Sequence, residues 1–495
     1  MAVSLRRLVL LVTFIAIFMM ASRISLDSDS WWHLRTGQLI SESGSIPKTD
    51  SFSYTQAGES WRYPSTAWLS QLALYKVYDA FGAGGVNLLV AALVTLAFAF
   101  ICKSLSGGIF LRAFVLILAA TASGVYWAAR PYLATFVLAA VFLWILEDQR
   151  WGRADRRLWL PPLMVAWANL HPGFAIGFML TGVYVFAAGW RWFSAHWGGR
   201  PRPDTTALRA ALPDALGRWL LVLVLMVLAV CINPSGPVML RYPFETVSIG
   251  ALQDLIREWQ SPNFHTLAVQ PFAWLLLLIL AAAGVSQRRL DLTDFLLVAL
   301  FAMLSLLAAR NIAIFALVAP IVLTRYAEPI FEALRQRWRL QPLGSGQTSR
   351  TLRIVNLLLL LFLLLPAAAR VAEALPNEAN EARFAHDLPV GAVAYLLGEQ
   401  PDGRLFNSYN WGGYLIWALP EYPVFVDGRT DLYGDTIILE WLSIVRADPG
   451  WDDQLQAWDA NLVLIEPDWA LAKLLPYAGW TTLYEDDHSV LYRRP

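Results

Sequence analysis

Apolar runs of membrane length recur along the chain, at 8–22, 83–102, 110–127, 131–146, 158–170, 174–190, 218–232, 271–286, 292–309, 311–325 and 352–369. A bilayer core of about 30 Å takes roughly 17–25 apolar residues per helix, so the pattern predicts about eleven spanning helices, apolar all round rather than amphipathic. The polar remainder is gathered into two long segments, 23–82 and 233–270, and a tail, 371–495. Within the first long segment, Trp31 to Ile40 and Thr66 to Phe81 read as amphipathic helices lying on the membrane surface, separated by a turn-rich patch from Ser43 to Tyr54. The tail alternates strand-like runs (Arg404–Asn407, Val424–Asp427, Leu462–Ile465) with helical stretches at 390–399, 435–446 and 452–460, which predicts a small α/β domain. A basic and then Gly/Ser/Gln-rich linker, 326–351, precedes the last apolar run. The expected organisation is a transmembrane domain over 1–370 and a soluble domain over 371–495.

Basic residues orient the spans, because cytoplasmic loops are enriched in Lys and Arg. Arg6 and Arg7 place the N-terminus in the cytoplasm, and every second boundary thereafter is basic, as at Arg150, Arg153, Arg156 and Arg157 or at Arg288 and Arg289. The two long polar segments and the tail then face outward. The first apolar run also reads as a signal peptide, but no small-x-small cleavage site follows it, so an uncleaved span is the preferred reading. Both readings put Asp27 on the same side of the membrane.

Composition narrows the class. Apolar residues make up 57% of the chain, above the roughly 45–50% of soluble proteins. The 38 Lys+Arg balance the 38 Asp+Glu, which argues against a nucleic-acid footprint, and the 23 tryptophans suit many membrane interfaces. Cys102 and Cys231 both lie in apolar runs, so neither a disulfide framework nor a zinc site is on offer.

Candidate chemistry gathers on the outward side. Asp27-Ser-Asp29-Ser-Trp31-Trp32-His33 follows the first span directly, and acidic groups so near lipid are costly unless they serve a purpose. Two carboxylates at this spacing suit a shared oxygen-seeking cation, Mg²⁺ or Mn²⁺, or a base; they also suit a helix cap. Trp31 and Trp32 are interfacial anchors that shape a site, and His33 is placed to bond a phosphate or carboxylate. Arg130 and Arg310 each sit in a turn of almost no length between two spans, suited to snorkelling or to neutralising a lipid phosphate. His171, before Pro172-Gly173, caps its turn or faces a cavity. Arg257-Glu258-Trp259 offers a third carboxylate for catalysis or for the metal, with Arg257 beside it. The opposite side shows only generic arginines.

A first span, an acidic residue in a long first outer loop, many further spans and an outer C-terminal domain together resemble the GT-C superfamily of membrane glycosyltransferases. That resemblance implies a polyprenyl-phosphate- or pyrophosphate-linked sugar donor, with Asp27-Ser-Asp29 at the position of the catalytic acid and Glu258 matching the second-loop acid. In the tail, Leu405 to Trp417, with Asn410, Trp411 and Tyr414, followed by Val424-Phe-Val-Asp427-Gly-Arg-Thr, is similar to the segment around the WWDYG motif of the oligosaccharyltransferase catalytic subunit. Where that motif carries Trp-Asp-Tyr-Gly, this chain has Trp411-Gly412-Gly413-Tyr414, with no acid inside.

The expected protein is therefore an integral plasma (inner) membrane glycosyltransferase of the cell envelope. A carboxylate, Asp27 or Asp29, prepares the acceptor, and a divalent cation or the arginines stabilise the departing lipid phosphate. Two rivals carry no chemistry: a transporter of lipid-linked saccharide, and a glycan-binding scaffold. Transporters place ionisable groups near the midplane and carry repeats; here those groups sit at outer ends and no repeat is evident.

Overall fold

A computed structural model describes residues 4–197, 205–339 and 349–495. Each predicted apolar run lies in a helix. The chain opens with α1 (Leu5–Ala21), α2 (Ser28–Ser43), α3 (Tyr63–Ser104), α4 (Ile109–Ser123), α5 (Tyr132–Arg150), α6 (Leu160–Leu170), α7 (Ala175–Trp197) and α8 (Thr205–Val230). Two short helices, α9 (Tyr242–Val247) and α10 (Gly250–Leu255), lie in the second long segment; α11 (Gln270–Val285), α12 (Leu292–Leu307), α13 (Ile312–Arg337) and α14 (Arg350–Ala374) follow. Seven helical stretches among the described residues are long and apolar enough to cross a membrane, and Leu216–Val230 and Leu292–Leu307 are shorter apolar helices. The protein is a polytopic helical membrane protein.

The centre of the bundle is α13, buried continuously from Ile312 to Ala327 against α4, α11 and α12. By contrast α14 leaves most of its leucines exposed, as expected of a helix facing lipid. The stretch from Thr66 to Phe81 does not lie separately on a surface. It runs directly into the next span as one element, bent at Gly82, whose φ of 62° is open to glycine without strain. Nor does α2 lie on lipid. Trp31, Trp32, His33, Leu34, Thr36, Gly37 and Ile40 are all buried. At Gly37 a Cβ would stand 2.1 Å from the Gln71 carbonyl oxygen, so the crossing of α2 on α3 depends on the missing side chain.

Beyond α14 come α15 (Asn377–Asp387), α16 (Val390–Glu399), β1 (Arg404–Asn407), α17 (Gly412–Ala418), α18 (Thr430–Val445), α19 (Trp451–Ala457), β2 (Ala460–Ile465), α20 (Ala470–Leu474), β3 (Thr481–Glu485) and β4 (Val490–Arg493). The four strands form one mixed sheet in the order β1-β2-β4-β3. β1 runs parallel to β2, and β4 is antiparallel to both β2 and β3. The hairpin β3–β4 escaped the sequence reading. Val424–Asp427, expected as a strand, is not one, because its backbone groups are satisfied elsewhere. Phe425 N–H donates to Asn407 Oδ1 at 2.8 Å, while Val424 N–H donates to the Phe52 carbonyl and Tyr54 N–H to the Val424 carbonyl. The first long segment is thus stitched to the tail.

That seam is locked by charge. Arg429, fully buried, donates to both oxygens of Asp427 (2.8 and 2.6 Å) and to Asp50, with its guanidinium over the rings of Phe52 and Trp61. A second buried network lies at the opposite ends of the spans. Arg150 Nη1 reaches Glu147 (3.2 Å) and Asp294 (2.7 Å), and Arg325 pairs with Glu147 (2.5 Å) and with Asp294. Tyr184 and Tyr326 donate to the same two carboxylates. The arginines there are not all generic: Arg150 and Arg325 clamp α5, α12 and α13 together.

Candidate active site

Asp27 has two jobs. It is the N-cap of α2: its Oδ1 accepts from Ser30 N–H (3.0 Å) and Ser30 Oγ–H (2.8 Å), and Ser30 Oγ accepts from Asp27 N–H (3.0 Å). Its other oxygen faces away from the helix and takes Arg130, at 2.6 Å from Nε and 2.5 Å from Nη2. Asp29, in the first turn of α2, lies 2.8 Å from Arg130 Nη1. Glu258 approaches the same Nη1 at 3.7 Å, and its other oxygen lies 3.7 Å from Arg310 Nη1. The three carboxylates named from the sequence therefore meet, but around a guanidinium.

These groups line a cavity of about 400 Å³, the size of a small-ligand site. Of the other residues named from the sequence, Trp32, His33, Arg130, His171 and Arg310 also line it. Trp31, Arg257, Asn410, Trp411 and Tyr414 are not among its lining residues. Trp31 instead packs edge-on against Phe384 and Tyr414, the aromatic contact that seats the tail on α2. Arg257 and Asn410 are exposed. Trp411 is buried at the start of α17, and the following Gly413 lies so close to α2 that a Cβ would stand 2.0 Å from the Ser28 carbonyl oxygen. The Trp-Gly-Gly-Tyr stretch is thus a docking turn.

The tail contributes wall residues that the sequence reading did not single out. Tyr409, Gly428, Thr430 and Asp431 line the cavity, together with Tyr63 and Tyr242. Tyr242 O–H donates to Asp431 at 2.8 Å, and the Tyr409 and Thr430 hydroxyls bond each other at 2.7 Å. A Cβ on Gly428 would stand 1.8 Å from Asp29 Oδ1. The only sequence signal was the polar Asp427-Gly-Arg-Thr-Asp431 run after an apolar stretch. Apolar residues line the cavity as well, among them Ile176, Met179, Phe301, Leu304 and Ile314.

The electrostatics divide the polar groups by task. Burial pushes the Asp29 carboxyl up to about 7, against the pull of Arg130, and the neighbouring Asp27 and Glu258 charges push the same way. Burial opposes the Arg130 charge, but Asp27, Asp29 and Glu258 overcome it and hold the guanidinium well above its ordinary value. Burial, aided by Arg310, lowers His171 to about 3, so its ring is neutral. Its Nδ1 accepts from Gly173 N–H at 3.0 Å, which puts the ring proton on Nε2. His33 is likewise held neutral by burial, and its Nδ1 is turned to Gln71. Burial also raises Asp431, and Tyr242 works against that shift.

The expected Mg²⁺ or Mn²⁺ at Asp27, Asp29 and Glu258 does not fit this arrangement. Among the described residues no group of three or more His, Cys, Asp or Glu is arranged to hold a metal ion. The position between the three carboxylates is filled by Arg130.

No protein-family model and no curated protein matches the chain by sequence. Solved structures do match by fold. The archaeal oligosaccharyltransferase AglB from Archaeoglobus fulgidus, solved with an inhibitory peptide and a dolichol-phosphate, superposes with a TM-score of 0.56 at 12% identity, over 98% of this chain and 74% of that one. The apo form of the Archaeoglobus fulgidus oligosaccharyltransferase gives a TM-score of 0.53 at 12% identity, over 92% of this chain and 69% of that one. ArnT from Cupriavidus metallidurans, bound to undecaprenyl phosphate, gives 0.49 at 15% identity, over 98% and 96%. The chain shares the fold of the archaeal oligosaccharyltransferase, with only distant sequence likeness.

Proposed function

We propose that this protein is an integral-membrane glycosyltransferase that moves a sugar from a polyprenyl-phosphate-linked donor to an acceptor at the outer face of the membrane. In this reading the N-terminus is cytoplasmic and the tail extracytoplasmic. The observation that carries it is the meeting of Asp27, Asp29 and Glu258 around Arg130 in a cavity lined by both apolar and hydroxyl-bearing residues, where burial raises the Asp29 carboxyl to about 7. A base with a pKa near the working pH combines the right protonation state with useful proton affinity.

The chemistry follows from the residues. Asp29 takes the proton from an acceptor hydroxyl or amide as that atom attacks the anomeric carbon. The bond from the anomeric carbon to the phosphate oxygen breaks, and the lipid phosphate leaves with the electron pair. Among the described residues Arg310 has only the long contact to Glu258 among carboxylates, and it lies over the Trp259 ring at 4.3 Å, so it is the cation available to that phosphate. Neutral His171 offers its Nε2 proton beside it. Ile176, Met179, Phe301, Leu304 and Ile314 suit the polyprenyl chain. Tyr63, Tyr242, Tyr409, Thr430 and Asp431 suit sugar hydroxyls. The dolichol-phosphate held by the archaeal oligosaccharyltransferase of the same fold supports a donor of this class.

The test is transfer of a labelled sugar from a polyprenyl-phosphate donor by the purified protein in lipid nanodiscs. The wild type is expected to transfer, and Asp27→Asn and Asp29→Asn to lose at least 100-fold. Unchanged transfer by both variants would refute the assignment of these acids.

A further inference from the structure

We infer that Arg130 is the cation of this site: its guanidinium takes the place between Asp27, Asp29 and Glu258 that a divalent ion would need, so sugar transfer runs without Mg²⁺ or Mn²⁺. The inference rests on the glycosyltransferase reading for its reaction, but its central claim, that the acid cluster is closed to metal, concerns binding alone.

Each carboxylate oxygen already faces a donor. Asp27 Oδ1 is held by Ser30 N–H and Oγ–H at 3.0 and 2.8 Å, and Asp27 Oδ2 by Arg130 Nη2 and Nε at 2.5 and 2.6 Å. Asp29 Oδ2 lies 2.8 Å from Arg130 Nη1, and Asp29 Oδ1 faces Trp32 Nε1 at 3.4 Å. The two oxygens of Glu258 face Arg130 and Arg310, both at 3.7 Å. Mg²⁺ asks for about six oxygens at about 2.0–2.1 Å in octahedral order. One or two carboxylates usually suffice, with waters and substrate phosphate completing the shell, so what closes this site is that the carboxylates already pair with Arg130 and neither histidine Nδ1 is turned to them. His33 Nδ1 is turned to Gln71, and His171 Nδ1 to Gly173 and Thr135. On its far side Asp29 is shut in by the backbone at Gly428, where even a methyl group would collide.

Arg130 is also fixed from behind. It sits in the turn between Tyr126 and Tyr132, with its N–H donating to the Ala128 carbonyl at 2.8 Å and Pro131 next in the chain. To admit a cation the guanidinium would have to leave three carboxylates in a partly buried cavity and then share the space with a second positive charge. A planar guanidinium can bridge two carboxylates while keeping its charge at any working pH. Arg130 thereby acts as a positioning residue. It pairs closely with Asp27 and Asp29 and more distantly with Glu258, and so fixes the Asp29 carboxyl at the cavity, where it can exchange the proton with the acceptor.

The experiment uses the full chain in nanodiscs at pH 7.5. Titration with Mn²⁺, followed by electron paramagnetic resonance, is expected to show no bound ion up to millimolar concentration. Micromolar one-to-one binding that disappears in Asp29→Asn would overturn the inference. In parallel, transfer from a polyprenyl-phosphate-linked sugar in excess EDTA is expected within twofold of that in Mg²⁺ or Mn²⁺; a tenfold or greater loss, restored by metal, would overturn it. Arg130→Ala opens the space, and is expected to gain Mn²⁺ binding and to recover activity when Mg²⁺ or Mn²⁺ is added, whereas Arg130→Lys keeps part of the activity without metal. If Arg130→Ala does not fold, the two wild-type measurements decide. If no donor supports transfer in either buffer, the glycosyltransferase reading fails, and the Mn²⁺ titration still judges whether the acid cluster is closed to metal.

Discussion

Replacing Asp29 by Asn tests the acid cluster through two independent properties. The carboxyl is raised from its ordinary 3.8 to about 7 by burial and by its acidic neighbours, while Arg130 pulls the other way. A group whose folded pKa is raised favours the folded state at low pH, and that advantage is lost as pH climbs from the unfolded value through about 7. At about 1.4 kcal/mol per pH unit, this gap of roughly three units sets a ceiling of about 4 kcal/mol of stability lost by alkaline pH. With the Asp29 side chain 20% exposed, most of that ceiling survives solvent screening. The Asn variant has no proton to release. Thermal unfolding in detergent should therefore show the wild type losing stability between pH 5.5 and 8.5, and Asp29→Asn losing less. Catalysis should move oppositely. Wild-type transfer should fall tenfold per pH unit below about 7, where Asp29 is protonated, and level off above it. The variant should be slower by about 10²–10⁴, the usual contribution of a positioned base. An Asp29→Asn protein with wild-type rate and wild-type pH profile, or a wild type with no break near 7 in either property, would refute the assignment of Asp29 as base.

Three further perturbations follow from the same geometry. Gly428→Ala puts a methyl group onto Asp29 Oδ1 and should cut transfer by about 10–100-fold through misplacement alone, with little change in the unfolding temperature. Arg429→Gln leaves Asp50 and Asp427 buried without their cation and should destabilise the seam by about 3–5 kcal/mol, read as faster proteolysis between Gly44 and Arg62. Arg325→Gln leaves Glu147 and Asp294 dependent on Arg150 and should destabilise the bundle by a comparable amount in thermal unfolding; transfer per folded molecule should be unchanged, since this network lies at the end of the spans away from the cavity.

Hydrophobic patterning determined a good deal by itself. Runs long enough to span lipid must be helical, since only a helix satisfies its own backbone there, and every such run in this chain is a helix. The acidic start of α2 was legible because charge beside lipid is costly, and local chemistry fixed the Asp27 cap with its partner three residues on. Tertiary structure decided the rest. The amphipathic stretches look surface-bound in one dimension, but α2 finds α3 and α17 to bury its tryptophans, a contact made possible by glycines at 37 and 413. Val424–Asp427 has a strand-like pattern yet is claimed by the Asn407 side chain and by the first long segment, partners hundreds of residues distant in the second case. The charge balance of the cavity was also beyond sequence reading. An arginine one hundred residues from Asp29 looks equally able to meet a lipid phosphate or a carboxylate. Only its place in the fold, between three acids, gives it to the carboxylates, while Arg310 reaches Glu258 at 3.7 Å.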